Sequence, residues 1–138
     1  MKPIFTAKVT AKGGRAGHVK SADGVIDYDI VMPNVKKEEE TGTNPEQLFA
    51  AGYASCFGGA LEHVAKKQGI EMNSEVEGHV SLLKDESDGG FKIGVKLIVS
   101  AQGLDHQQAK ELVDAAHEFC PYSKATRGNI DVELDVTT

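Results

Sequence analysis

The chain has 138 residues, 40% of them hydrophobic, which is enough for one domain with a real core; we expect an N-terminal β part (about 1–42) joined to a helical and second β part (about 43–138). Its 21 acidic and 15 basic side chains leave a net charge of −6 with no basic cluster to offset it, which argues against nucleic acid as a partner. No apolar run approaches the roughly 18 to 20 residues of a membrane span, and Met1-Lys2-Pro3-Ile4-Phe5 lacks a signal-peptide core, so no membrane partner and a cytoplasmic location are expected.

From Ile4 to Lys12 polar and apolar residues alternate, with Phe5, Ala7, Val9 and Ala11 on one side, the period of a half-buried strand. Gly13-Gly14-Arg15-Ala16-Gly17 interrupts it. A second strand is expected around His18 to Ala22, ahead of the Asp23-Gly24 turn, and a third carries Ile26, Tyr28, Ile30 and Met32 on one face. These strands should form an antiparallel meander that Pro33 ends. The polar stretch from Asn34 to Gly42, including the sign-changing run Lys36-Lys37-Glu38-Glu39-Glu40, reads as a solvated loop.

A helix start follows. Thr43 and Asn44 are good cap residues, Pro45 suits the first helical position, Glu46 complements the positive end of the helix dipole, and Gln47 completes a capping box with Asn44. The helix is expected to run to about Lys67, with Gly69 as its stop. Between Ala50 and Ala60 it carries few bulky residues, and Gly52, Gly58 and Gly59 each cost about 1 kcal/mol of helix propensity, so other chain is expected to pack closely against it.

Val76, Gly78, Val80 and Leu82 alternate along a strand, a turn follows from Asp85 to Gly90, and Phe91, Ile93, Val95, Leu97 and Val99 alternate along the return. A second helix, from about Asp105 to Phe119, places Leu112, Val113, Ala116 and Phe119 on one face, and Pro121 ends it just after Cys120. After a turn-rich stretch to Gly128, a last strand carries Ile130, Val132, Leu134 and Val136.

The two cysteines, Cys56 and Cys120, lie far apart in sequence without a Cys-x-x-Cys or His-x-x-x-His pair, so neither a secreted disulfide framework nor a metal site is expected. They read either as buried small hydrophobes or as a nucleophile with a second thiol in thiol redox chemistry. A free cysteine with a pKa of about 8.5 is only a few per cent ionised at neutral pH, so a reactive one needs a nearby cation. Arg15, in its glycine-bracketed loop, is the candidate, and Glu46 would orient it through a bidentate pair.

Glu46 stands about 15 Å from Cys56 along a straight helix. Arg15 therefore bridges that gap, the helix breaks near Gly52, or a partner subunit supplies one group. His63 and His117 are neighbours of the thiols in sequence, better read as rim or core residues than as bases. Phe49, Tyr53, Phe57 and Tyr122 are the aromatic residues nearest the two thiols; they pack in the core or wall an apolar substrate pocket.

Two segments carry a family resemblance. Thr43-Asn44-Pro45-Glu46-Gln47-Leu48-Phe49-Ala50-Ala51-Gly52-Tyr53-Ala54-Ser55-Cys56-Phe57 and Cys120-Pro121-Tyr122-Ser123-Lys124-Ala125-Thr126-Arg127-Gly128-Asn129-Ile130-Asp131-Val132 resemble the two signatures of organic hydroperoxide resistance proteins, a branch of the OsmC/Ohr family. The Gly13-Gly14-Arg15 loop and the order of elements extend the likeness over nearly the whole chain. The charged run Lys36 to Glu40 departs from the glycine-rich stretch usual in the family.

The resemblance implies an OsmC-like α+β fold, with antiparallel β-sheets around central helices, in an intertwined homodimer. It also implies a thiol peroxidase acting on organic (alkyl or fatty-acid) hydroperoxides. By position Cys56 matches the peroxidatic cysteine, Cys120 the resolving cysteine that forms a disulfide with it, and Arg15 and Glu46 the activating pair. No bound cofactor is implied; the reductant is an external dithiol, dihydrolipoamide or a lipoylated protein. A general thiol-disulfide oxidoreductase and a non-catalytic stress-response binding domain are the alternatives.

Overall fold

The computed structural model describes residues 1–33 and 41–138; the Lys36 to Glu40 run falls outside them. The chain divides into two compact units, Met1–Leu48 and Phe49–Thr138.

In the first unit, β1 (Val9–Lys12), β2 (His18–Ser21) and β3 (Asp27–Asp29) form an antiparallel meander in that order. Its register sets His18 opposite both Lys12 and Asp29. A single 3₁₀ turn, Gly14–Ala16, joins β1 to β2 and carries Arg15. Gly17 closes that turn where a Cβ would stand 1.7 Å from the Lys12 carbonyl oxygen, so only glycine fits. Beyond β3, Thr43 donates its N–H to the Asp29 carbonyl at 2.9 Å and accepts from Val31 at 2.9 Å, which fixes the residues that lead into the first helix.

The expected first strand differs in two ways. It begins at Val9 instead of Ile4, and Phe5, Ala7, Val9 and Ala11 are all exposed, Phe5 to 84%. Alternation alone reports that a face is apolar; burying it takes a second layer, and the described chain lays none over these residues.

Helix α1, Pro45–Lys67, starts as expected. Asn44 Oδ1 accepts from the Gln47 N–H at 2.8 Å, one half of the capping box, while the Gln47 side chain turns to the Thr43 hydroxyl at 2.5 Å and leaves the other half unmade. The helix is unbroken at Gly52. It ends in a Schellman motif: Gly69, at φ +74°, donates to the Lys66 carbonyl and Ile70 to the Ala65 carbonyl.

In the second unit, β4 (Glu75–Asp85) and β5 (Gly90–Ser100) form a long antiparallel hairpin, with Glu75 opposite Ser100 and Asp85 opposite Gly90. Helix α2 (His106–Phe119) and helix α3 (Pro121–Thr126) follow, and β6 (Val132–Thr137) completes a sheet of order β4-β5-β6. The helical core of Tyr53, Phe57, Leu61, Leu112 and Val113 packs with Val95, Leu97 and Val99 of β5 in one apolar cluster that also holds Cys120. Gly78 of β4 lies against Ala50 and Ala54 of α1.

Three expectations are corrected here. The sheet is not wholly antiparallel: β6 pairs parallel with β5, Val95 opposite Val132, because the two helices between them carry the chain back to the starting end of β5. The stretch after Cys120 is not merely a turn, since Pro121 ends α2 and takes the N1 position of α3. Phe119 is exposed on the rim, not buried with Leu112, Val113 and Ala116, and stacks on the His63 ring at 4.5 Å between centroids.

Candidate active site

Two chemical constellations stand out, one in each unit. In the first, Arg15 and Glu46 form a bidentate ion pair, with Nη1 donating to Oε2 at 3.0 Å and Nη2 to Oε1 at 2.7 Å. The pair is short and planar in its logic: a guanidinium fork matches a carboxylate edge. It holds the Glu46 carboxyl below the ordinary carboxylate range and the Arg15 guanidinium above its own. Glu46 thus combines two favourable roles, in the first turn of α1 and as the partner of Arg15.

In the second unit the two thiols meet. Cys56, half-buried on α1, has its sulfur 3.6 Å from that of Cys120, which is fully buried at the junction of α2 and α3; both are free thiols. Burial pushes the Cys56 thiol above its ordinary value, the backbone N–H of Tyr122 acts against that, and the neighbouring Cys120 adds to it. Of the buried-hydrophobe and redox readings, this geometry favours the second, because two sulfurs at that separation need only a small displacement to bond.

The four aromatic residues separate into two groups. Phe49 and Tyr122 line an apolar cleft of about 440 Å³ together with Ile93, Pro121, Ala125 and Ile130. Tyr53 and Phe57 are fully buried and do not line it. Tyr53 supports the cleft from beneath, its ring centroid 6.1 Å from that of Phe49 and 5.6 Å from that of Tyr122. Phe57 belongs to the core because it falls on the α1 face that meets β5 and α2.

Sequence reasoning missed a polar network under the cleft. The Tyr53 hydroxyl lies 2.8 Å from Ser123 Oγ and 3.2 Å from Thr126 Oγ1, and His117 Nδ1 lies 2.8 Å from Ser123 Oγ. The available signal was Pro121 followed by hydroxyls at 123 and 126, spacing that puts both on one face of a short helix. Among the described residues, no group of histidine, cysteine and carboxylate side chains is arranged to hold a metal ion, and no helix is long and apolar enough to cross a membrane.

Comparison with known proteins agrees with these features. Residues 37–135 match the family model of OsmC-like proteins. The chain is 75% identical over 133 residues to the organic hydroperoxide resistance protein OhrB of Bacillus subtilis, covering 96% of this chain and 98% of that one. It is 53% identical to OhrA of the same organism, covering 98% and 97%. The crystal structure of B. subtilis OhrB superposes with a TM-score of 0.94 at 72% identity, covering 98% of this chain and all of that one, 100%. An α+β architecture of this order, two thiols in contact, and near-full-length identity to OhrB and OhrA together place the chain in the organic hydroperoxide resistance branch of the OsmC-like family.

Proposed function

We propose that the protein is a thiol peroxidase that detoxifies organic hydroperoxides, with Cys56 as nucleophile and Cys120 as resolving thiol. The observation that carries this reading is the 3.6 Å approach of the two sulfurs, one reachable from solvent and the other sealed in the core. The Cys56 thiolate attacks one oxygen of the peroxide, the O–O bond breaks, and the alkoxide leaves as the alcohol after taking up a proton. The sulfenic acid left on Cys56 is then displaced by Cys120 to give a disulfide and water.

Burial opposes thiolate formation at Cys56, and the groups that shift its thiol include no cation, so the reaction needs one brought to it. Arg15, held in orientation by Glu46, is the proposed source, from the same chain or from a second copy. The apolar cleft beside Tyr122 supports an organic tail on the substrate, since burying hydrocarbon contributes about 25 cal/mol per Å² and hydrogen peroxide has none to bury. Phe49 and Tyr122 are the proposed contacts.

The rest of the cycle follows from the same chemistry. A small dithiol, dihydrolipoamide or a lipoylated protein, would reduce the disulfide by attack at the accessible Cys56 sulfur, and no bound cofactor takes part. The exposed apolar face of Phe5, Ala7 and Val9 supports a homodimer in which a second copy covers it. A cytoplasmic location suits two thiols that must be kept reducible.

Replacing Cys56 by serine tests the assignment. Hydroperoxide consumption should vanish in Cys56→Ser and persist for one turnover in Cys120→Ser. Turnover retained by Cys56→Ser would remove the nucleophile from that position.

A further inference from the structure

The fully or nearly buried side chains of helix α3 are hydroxyls, and beside the Tyr122 ring packing they seat it. It has 6 residues, and the buried ones are Ser123 and Thr126. A helix of that length has no stability of its own in water, so its position depends on what those two residues bond to. Ser123 and Tyr53 are fully buried, and Thr126 donates to the Ser123 carbonyl at 3.2 Å. One proton assignment serves the network: Tyr53 shares its single hydroxyl proton between Ser123 Oγ and Thr126 Oγ1, and Ser123 donates to Nδ1 of a neutral His117. Burial, reinforced by the Arg127 guanidinium, keeps the His117 imidazole below its ordinary value and so in that neutral form. Arg127 also donates to the His117 carbonyl at 2.6 Å, closing α3 onto the end of α2.

The partners sit at telling positions. Tyr53 is one turn before Cys56 on α1, His117 is one turn before Cys120 on α2, and Ser123 is one turn after Cys120 on α3. The network joins the three helical segments that carry the two sulfurs and the Tyr122 amide.

Resting on the peroxidase reading above, we infer that Ser123 and His117 are positioning residues for the resolving step, holding α3 so that the Cys120 sulfur stays within closing distance of Cys56. In that step the Cys120 thiol attacks the sulfenic sulfur of Cys56; the S–S bond forms as the S–O bond breaks, and the hydroxide takes the thiol proton and leaves as water. The sulfurs close from 3.6 Å to about 2.05 Å. If α3 drifts, the sulfenic acid outlives its partner's attack, and a second molecule of hydroperoxide oxidises it to the sulfinic acid.

The test uses the full-length reduced protein, wild type against Ser123→Ala, His117→Leu and His117→Asn, the last keeping an amide where Nδ1 stood. Each is given one equivalent of tert-butyl hydroperoxide, then rising excess, with peroxide consumption and the mass of the Cys56 peptide followed separately; a parallel arm closes the disulfide with diamide. Peroxide consumption should change by no more than about fivefold, the worth of one lost amide contact. Disulfide formation should slow by about tenfold or more in Ser123→Ala and His117→Leu, as displacements of about 1 Å do in oriented reactions. Sulfinic acid should appear at lower peroxide doses, and His117→Asn should recover most of the loss.

Disulfide formation at the wild-type rate in both Ser123→Ala and His117→Leu would overturn the inference. So would equal slowing of both steps, which is the mark of general unfolding. A wild-type protein that consumes no hydroperoxide would instead refute the peroxidase reading, and slowed closure by diamide in the variants would still uphold the positioning.

Discussion

Gly52 lies directly beneath the ring of Tyr122: a Cβ at position 52 would stand 2.6 Å from the tyrosine hydroxyl and 3.2 Å from Cζ. The glycine is therefore a seat for the side chain that lines the cleft, one turn before Cys56. In Gly52→Ala the ring must swing out. The helix gains about 1 kcal/mol of propensity and loses a similar amount to crowding, so thermal stability should barely change. The KM for a long-chain hydroperoxide should rise several-fold while that for a short one moves little. In a Tyr122→Ala background the same alanine meets no ring, and it should then stabilise the protein by about 1 kcal/mol in urea titration. No difference between the two backgrounds would separate Gly52 from Tyr122.

Arg15 and Glu46 make a fork-to-fork pair that lysine cannot reproduce. Arg15→Lys should raise the Cys56 pKa, and peroxide attack at neutral pH should slow by about tenfold for each unit of that rise. Iodoacetamide alkylation of Cys56 across pH reads the shift. An alkylation profile superimposable on wild type would take Arg15 out of the site.

His18 offers a pH signature in the first unit. Its Nδ1 lies 2.7 Å from Asp29 Oδ1 and its Nε2 bridges to Asp27 Oδ1 at 2.5 Å, with Lys12 opposite on β1. Asp29 first and Asp27 second raise its pKa above the ordinary value. The folded form therefore favours the imidazolium: the stabilisation is complete below the unfolded pKa of about 6.5 and is lost as pH rises through the folded value. The site is exposed, so the effect should be modest and should shrink with salt. His18→Asn should lower Tm at about pH 5.5 and match wild type at about pH 9. A Tm deficit that is the same at both pH values would show that the clasp carries no charge-dependent stability.

Much of this was readable from residue order because the signals were local. Asn44-Pro45-Glu46-Gln47 announces a helix start, Gly69 a helix stop, and the alternation in β4 and β5 a hairpin; each is decided within a few residues. What failed depended on distant chain. The parallel pairing of β6 follows from a helical crossover, not from its own pattern, and the alternation from Phe5 to Ala11 is the same whether a layer covers that face or not. Pro121 signals the end of α2 and the start of α3 with one residue, so α3 was hidden behind its neighbour's stop. Cys56 and Cys120 were legible as candidates, but their 3.6 Å approach is a tertiary fact. The roles of Ser123 and His117 were beyond reach for the same reason, since hydroxyls in a turn-like segment look solvated until a buried Tyr53 is found beneath them.

The central claim is that Cys56 reduces organic hydroperoxides and is resolved by Cys120. Stopped-flow mixing of the reduced protein with an alkyl hydroperoxide and, separately, with hydrogen peroxide tests it most directly when the product is weighed and its peptides are mapped. The account predicts faster thiol loss with the alkyl hydroperoxide and a product lighter by a pair of hydrogens, with Cys56 and Cys120 in one linked peptide. Equal or slower reaction with the organic oxidant, or a product whose two cysteines remain free, would contradict it.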